Sequence, residues 1–179
     1  MVALKQKRLQ GLANMSHIII ALGGNIGDVR ASFDSAYKAL SQSCHIITKS
    51  KLYPTPALVA KGAPSQPDYI NAAIHVASTL TPTELLAELH RIEALHGRER
   101  KEHWGSRTLD LDLIDYEGCI SHDSALMLPH PALVDRLFVL QPLHDIMPNW
   151  IHPVTSRSVQ EMLRSLQQAG ESLYEGEIW

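Results

Sequence analysis

The sequence predicts an α+β fold, a sandwich built on one central, mainly antiparallel sheet with flanking helices. Two observations carry this. Short apolar runs rich in β-branched residues alternate with stretches whose apolar residues recur every three or four positions. Their order is strand, helix, strand, long loop, strand, helix, strand, then helices. The 179 residues, 45% hydrophobic and 20% charged, have the size and composition of a single globular domain.

Each element has its own local signature. Residues 17–22 (HIIIAL) form a short buried strand. Gly23, Gly24, Asn25 and Gly27 break it. Asp28 can then cap a helix to about residue 41, with Val29, Phe33, Ala36, Tyr37 and Leu40 at helical spacing. Residues 46–53 read as a second strand. Pro54, Pro56, Gly62, Pro64 and Pro67 make a loop whose length is uncommon in a compact domain unless it serves a purpose. Residues 69–78 form a third strand, with Tyr69, Asn71, Ala73 and His75 on one face and Ile70, Ala72, Ile74 and Val76 on the other. Thr81 and Glu84 make a capping-box pattern, with Pro82 at the first helical position. That helix runs to about His96, and Gly97 stops it. A polar, basic loop spans 98–106, and a fourth strand spans 108–116. Pro129, Pro131 and Pro142 punctuate the next region. Residues 158–167 form a terminal amphipathic helix with Val159, Met162, Leu163 and Leu166 inward. This β-α-β-β-α-β order resembles a ferredoxin-like sandwich. Residues 1–14 are expected to be a disordered N-terminal extension, and 15–179 a single domain.

Composition narrows the function. A net charge of -3 provides no basic field for nucleic acid. No stretch approaches the roughly 20 apolar residues of a membrane span. Two cysteines, Cys44 and Cys119, suit a reducing cytoplasm better than a disulfide scaffold.

The most informative segment is Arg107, Thr108, Leu109, Asp110, Leu111, Asp112 and Leu113. On a strand, Asp110 and Asp112 share one face about 6.6–6.8 Å apart, and the three leucines share the other. Two carboxylates side by side repel and call for positive charge. Hard oxygen donors suit Mg²⁺, which takes one or two carboxylates together with phosphates and water. The alternative is a solvated strand face bridged by Arg107. Just upstream, Arg98, Arg100 and Lys101 stand in a loop with Trp104 and Gly105. Guanidiniums hold phosphate oxygens bidentately, so carboxylates beside arginines suit phosphoryl transfer. A charge-balanced solvated loop is the alternative. Tyr69 and Asn71 share a strand face, where a ring can stack on a flat heterocycle and an amide can read its edge. A core tyrosine with a structural asparagine would look the same. The glycine-rich turn at 23–27 reads as a tight structural turn. His130 stands out between Pro129 and Pro131, near Arg136.

Taken together these residues resemble the 6-hydroxymethyl-7,8-dihydropterin pyrophosphokinase family of folate biosynthesis. The run from Arg107 to Leu113, preceded by Trp104 and Gly105, carries the resemblance. Further matches are Ala21, Leu22, Gly23, Asn25 and Gly27; Tyr53, Thr55 and Pro56; Gln66, Pro67, Asp68, Tyr69, Asn71 and Ala72; Ile92, Glu93, Gly97 and Arg98; Pro129 and His130; and Arg136, Phe138, Pro142 and Leu143. The resemblance covers about residues 17 to 147.

It implies an enzyme that moves diphosphate from ATP to a reduced pterin. The pterin would lie between Tyr69 and Phe138, with Asn71 and the backbone near Thr55, Pro56 and Leu58 reading its edge. Asp110 and Asp112 would ligate two Mg²⁺ ions. Glu93, Arg100, Trp104, Arg107, Leu113, His130 and Arg136 would line the ATP side, and Arg98 and Arg107 would contact the transferring group. A monomer or weak dimer in the cytoplasm, with small-molecule partners only, completes the expectation. Gly24, His90, Ala125, Met127 and Leu137 depart from residues common in the family, and bear on ATP binding and loop closure. Two rival readings are another two-metal enzyme using Asp110 and Asp112, and a non-catalytic ligand-binding module.

Overall fold

The computed structural model describes residues 17–57, 65–97, 107–131, 133 and 135–179. The extension expected at 1–14 lies outside these residues. The elements are β1 (Ile18–Gly24), α1 (Val29–Leu40), β2 (Cys44–Lys49), β3 (Tyr53–Thr55), β4 (Tyr69–Ser78), α2 (Pro82–Leu95), β5 (Asp110–Tyr116), β6 (Ser121–Asp123), β7 (Leu126–Leu128), α3 (Leu137–Ile146) and α4 (Val159–Gln168). The main sheet has the order β2-β4-β1-β5, with β3 added to β4, and every pairing in it is antiparallel. Helices on both faces complete the ferredoxin-like sandwich.

Each strand face has its own core. Ile18, Ile20, Leu22, Ile74, Val76, Leu111 and Leu113 pack with Phe33 and Leu40 of α1 and Leu85, Leu89 and Ile92 of α2. Ile19, Ala73 and Ile114 face the other way, against Leu140 and Leu143 of α3 and Met162 of α4. The alternation expected for residues 69–78 therefore holds. The caps hold too. Asp28 accepts from the Ala31 amide, and Thr81 and Glu84 exchange side-chain-to-backbone hydrogen bonds as a capping box. A second box, Ser158 with Glu161, starts α4.

The structure corrects two expectations. Residues 46–53 are not one strand. β2 ends at Lys49, and β3 begins at Tyr53 further along the same edge of β4. Between them Ser50 continues the ladder with its side chain. Its N–H donates to Ala73 O at 2.9 Å, and its Oγ accepts from the Ala73 amide at 2.9 Å. The stretch after the fourth strand holds a small β6–β7 hairpin. It also holds α3, with Pro142 inside. Pro142 has no N–H to offer the carbonyl of Phe138, so the first turn of α3 lacks one helical hydrogen bond.

Two further features depart from a plain sandwich. β1 and β5 shift register between Ile19 and Ile20, leaving Ile114 as an extra residue, a bulge that turns both Ile114 and Asp115 toward α3 and α4. The last residues run back across the molecule as a strap. Tyr174 exchanges backbone hydrogen bonds with the Gln141 side chain of α3, and Glu177 pairs with Leu52. Trp179 then packs on Phe33 and Tyr37 of α1, donates to Asp34 and lies under the Lys49 ammonium.

Candidate active site

Helices α3 and α4 cover only part of the second sheet face. Where they stop, the strands present Ala21 and Gly23 on β1, Tyr69 and Asn71 on β4, and Asp110 and Asp112 on β5. Small residues on the central strand leave a floor, and the result is a cleft of ≈ 410 Å³, large enough for a small ligand. The strand register sets its layout. Asn71, Gly23 and Asp110 lie in one row across β4, β1 and β5. Two strand spacings separate the ends of that row by about 10 Å. A Cβ at Gly23 would stand 3.3 Å from Asn71 Oδ1, so glycine keeps the row clear.

One end of the cleft is built from neutral groups. Asn71 Nδ2 donates to Thr55 Oγ1 at 2.8 Å, with both residues buried. Pro56 and Gln66 stand beside them, and Tyr69 is half-buried on the same face. Burial raises the Tyr69 hydroxyl pKa, with Arg107 opposing and Asp110 adding to the shift. That hydroxyl therefore stays protonated at neutral pH. Phe138 and Val139, from the first turn of α3, form the facing wall. The Arg136 guanidinium lies 5.7 Å from the Phe138 ring centroid.

The other end is charged. Asp110 and Asp112 point into the cleft with Arg107, His130 and Arg136 around them. Arg107 forms an ion pair with Asp110. The His130 amide donates to Ile114 O at 2.9 Å, which fixes the turn that carries the ring. Among the described residues no three His, Cys, Asp or Glu side chains gather to hold a metal. Two carboxylates beside small neighbours are instead a donor set that suits Mg²⁺ completed by phosphate and water.

The turn at 23–27, read as structural, is structural in a way that serves this end. Asn25 and Ile26 donate their amides to Arg107 O at 2.8 and 3.2 Å. Asn25 Oδ1 accepts from the Arg107 amide at 2.8 Å, and Asn25 Nδ2 donates to Pro67 O at 3.1 Å. Asn25 thus ties the Arg107 segment to the start of the Tyr69 strand. Gly24 permits the close approach, since a Cβ there would stand 2.8 Å from Thr108 O.

Thr55, Pro56, Tyr69, Asn71, Phe138, Arg107, His130, Arg136, Asp110 and Asp112 thus meet in one cleft. Two expected residues turn away from it. The Leu113 side chain packs in the α1/α2 core, and Glu93 is buried, accepting from the Leu111 amide at 2.7 Å. Leu58, Arg98, Arg100 and Trp104 lie outside the described residues. Gln66, Val139 and Asn25 are additions. Gln66 and Asn25 sit in the matched motifs, but Val139 carries no local signal. The departures spread differently: Leu137 is a buried core residue, while His90, Ala125 and Met127 are partly or largely exposed.

Three comparisons bear on this site. The model of the family described as 7,8-dihydro-6-hydroxymethylpterin-pyrophosphokinase (HPPK) matches residues 19–148. A 2-amino-4-hydroxy-6-hydroxymethyldihydropteridine pyrophosphokinase of Synechocystis is 38% identical over 150 residues, covering 83% of this chain and 75% of that protein. The enzyme of the same name from Haemophilus influenzae is 38% identical over 147 residues, covering 81% of this chain and 89% of the relative. Among solved structures, Plasmodium falciparum HPPK-DHPS with pterin and p-hydrobenzoate superposes with a TM-score of 0.66 over 87% of this chain, at 13% identity. This chain spans 45% of that longer one, and the likeness speaks to the fold alone.

Proposed function

This chain belongs to the 7,8-dihydro-6-hydroxymethylpterin-pyrophosphokinase family, and on that premise we propose that it transfers the diphosphate of ATP to 6-hydroxymethyl-7,8-dihydropterin. The products are AMP and the pterin diphosphate. The observation that carries the reading is the row Asn71, Gly23, Asp110, which sets a heterocycle reader and an acidic strand end in line on one cleft floor.

In this reading the pterin ring lies between Tyr69 and Phe138. The buried Thr55–Asn71 pair offers its edge an amide already oriented by a hydrogen bond. The exocyclic hydroxymethyl group then points along the row toward Asp110. Its oxygen attacks the β-phosphorus of ATP in line. The new O–P bond forms as the bond from the β-phosphorus to the bridging oxygen breaks, and AMP leaves with that oxygen. The hydroxyl proton passes to solvent. Arg107, Arg136 and His130 orient the polyphosphate and stabilise charge on the transferring oxygens. By the family resemblance, Arg98 would contact the transferring group and Arg100 and Trp104 would bind ATP. Asp110 and Asp112 would hold two Mg²⁺ ions, which when bound supply charge neutralisation at the phosphates. Asn25 keeps Arg107 at the correct end of the cleft.

The test is an AMP-release assay with ATP, Mg²⁺ and the pterin, run with and without pterin and with and without chelator. Pterin-dependent AMP that chelation abolishes is the expected result. ADP or pyrophosphate as product would overturn the reaction type, and pterin binding without turnover would leave a binding module.

A further inference from the structure

The edge and one face of the proposed pterin site come from different parts of the chain. Thr55 belongs to β3, and Phe138 to the first turn of α3. β3 has little to hold it. It is three residues long, it pairs with β4 on one side, and its middle residue, Pro54, has no N–H for a ladder. Leu52, just before it, pairs with Glu177, and a side-chain fastening lies at the back of the site. Asp145 Oδ2 accepts from the Tyr53 hydroxyl at 2.7 Å and from the Lys51 amide at 3.1 Å. Asp145 stands two turns along α3 from Phe138, about 10 Å on the helix axis. Tyr53 stands two residues before Thr55, on the same side of β3. Burial and then the Asp145 hydrogen bond push the Tyr53 hydroxyl pKa up, so it remains a donor at every physiological pH.

We propose that Asp145 is a positioning residue that places Thr55, at the edge of the pterin site, relative to Phe138, by fastening β3 to the helix that carries Phe138. This rests on the pterin-binding reading above. Asp145 touches neither substrate nor reacting atoms. It works through Tyr53 and Lys51, and its effect falls on the pterin rather than on ATP.

The experiment compares Asp145→Ala, Asp145→Asn, Tyr53→Phe and Thr81→Ala. Each is measured for 6-hydroxymethyl-7,8-dihydropterin affinity by titration calorimetry and for KM of both substrates. Loss of the tie is expected to weaken pterin binding about five- to ten-fold in Asp145→Ala and Tyr53→Phe, the range of one or two lost hydrogen bonds. The KM for ATP and kcat should stay within about two-fold of wild type. Asp145→Asn keeps an acceptor oxygen and should recover most of the affinity. Thr81→Ala loosens the remote α2 cap, and should lower the Tm with pterin affinity unchanged. Unchanged pterin affinity in both disrupting variants would overturn the proposal, as would an Asn variant no better than Ala or a parallel rise in the KM for ATP. If Asp145→Ala does not fold, Tyr53→Phe decides. Wild-type protein that binds pterin but makes no AMP would sink the proposed reaction while the calorimetric comparison still judges Asp145; wild-type protein that binds no pterin would sink both.

Discussion

At one end of the cleft, Thr55 and Asn71 are 3% and 7% exposed and bonded to each other. At the other, Asp110 and Asp112 are partly exposed beside a guanidinium. The neutral end is buried and organised by a hydrogen bond within the protein. The charged end sets two carboxylates among the cationic side chains of Arg107 and Arg136. On the proposed reading, recognition belongs to the neutral end and phosphate chemistry to the charged end. Changes at the neutral end should read out as affinity, and changes at the charged end as turnover.

The sharpest way to break this comparison is Asp112→Ala. It should lower kcat by about 10³-fold or more, while pterin affinity, measured by calorimetry, stays within about three-fold. Near-normal turnover would remove the metal role from this strand. Next in size is Asn71→Ala, which strips the edge reader and the donor that Thr55 accepts from. Pterin Kd should rise about 10- to 100-fold, with a smaller loss in kcat at saturation. A loss confined to kcat would show the two ends are not separable. Asn25→Ala sits between them and tests the tether. It leaves the Arg107 amide without its side-chain acceptor and should cost about 1–3 kcal/mol of stability by urea titration, with kcat falling more than pterin affinity.

The smallest effect lies outside the cleft and serves as a control. Asp115 is buried at the bulge, with Oδ1 meeting no hydrogen-bond donor among the described residues and Oδ2 accepting long bonds from Trp150 and Gly118. Burial raises its pKa above the usual carboxylate value, against smaller lowering by Trp150 and Gly118. A carboxyl group with a raised folded pKa favours the native state at low pH, and loses that contribution as the pH rises through the folded value. Asp115→Asn should therefore raise the Tm at neutral pH by about 2–4 °C, the shift that 1 kcal/mol makes in a domain this size. The gain should shrink on acidification, and kcat should not change. A gain independent of pH would show that charge is not the cause.

Much of this could be read from the residues. Alternation on 69–78, the Asp28 and Thr81 caps, and the paired aspartates all rest on local periodicity, and local rules decide them. What escaped was set by distant partners. The split between β2 and β3 depends on Ser50 finding Ala73 across the sheet. Pro142 reads as a breaker, yet tertiary packing of Leu140 and Leu143 carries α3 through it. Glu93 and Leu113 belong to motifs at the cleft, but strand and helix geometry turn their side chains into the core. The facing wall at Val139 has no local mark, because only the docking of α3 brings it there.

The strap adds a matter of timing. Trp179 meets Asp34 across 145 positions, and Glu177 meets Arg30 across 147. A ribosome adding roughly 5–20 residues per second takes on the order of 10 s to make that stretch. For that interval α1 exists without the indole that covers Phe33 and Tyr37. The strand edge at Leu52 likewise exists without its bridge to Glu177. The first helix among the described residues is thus one of the last of them to be finished.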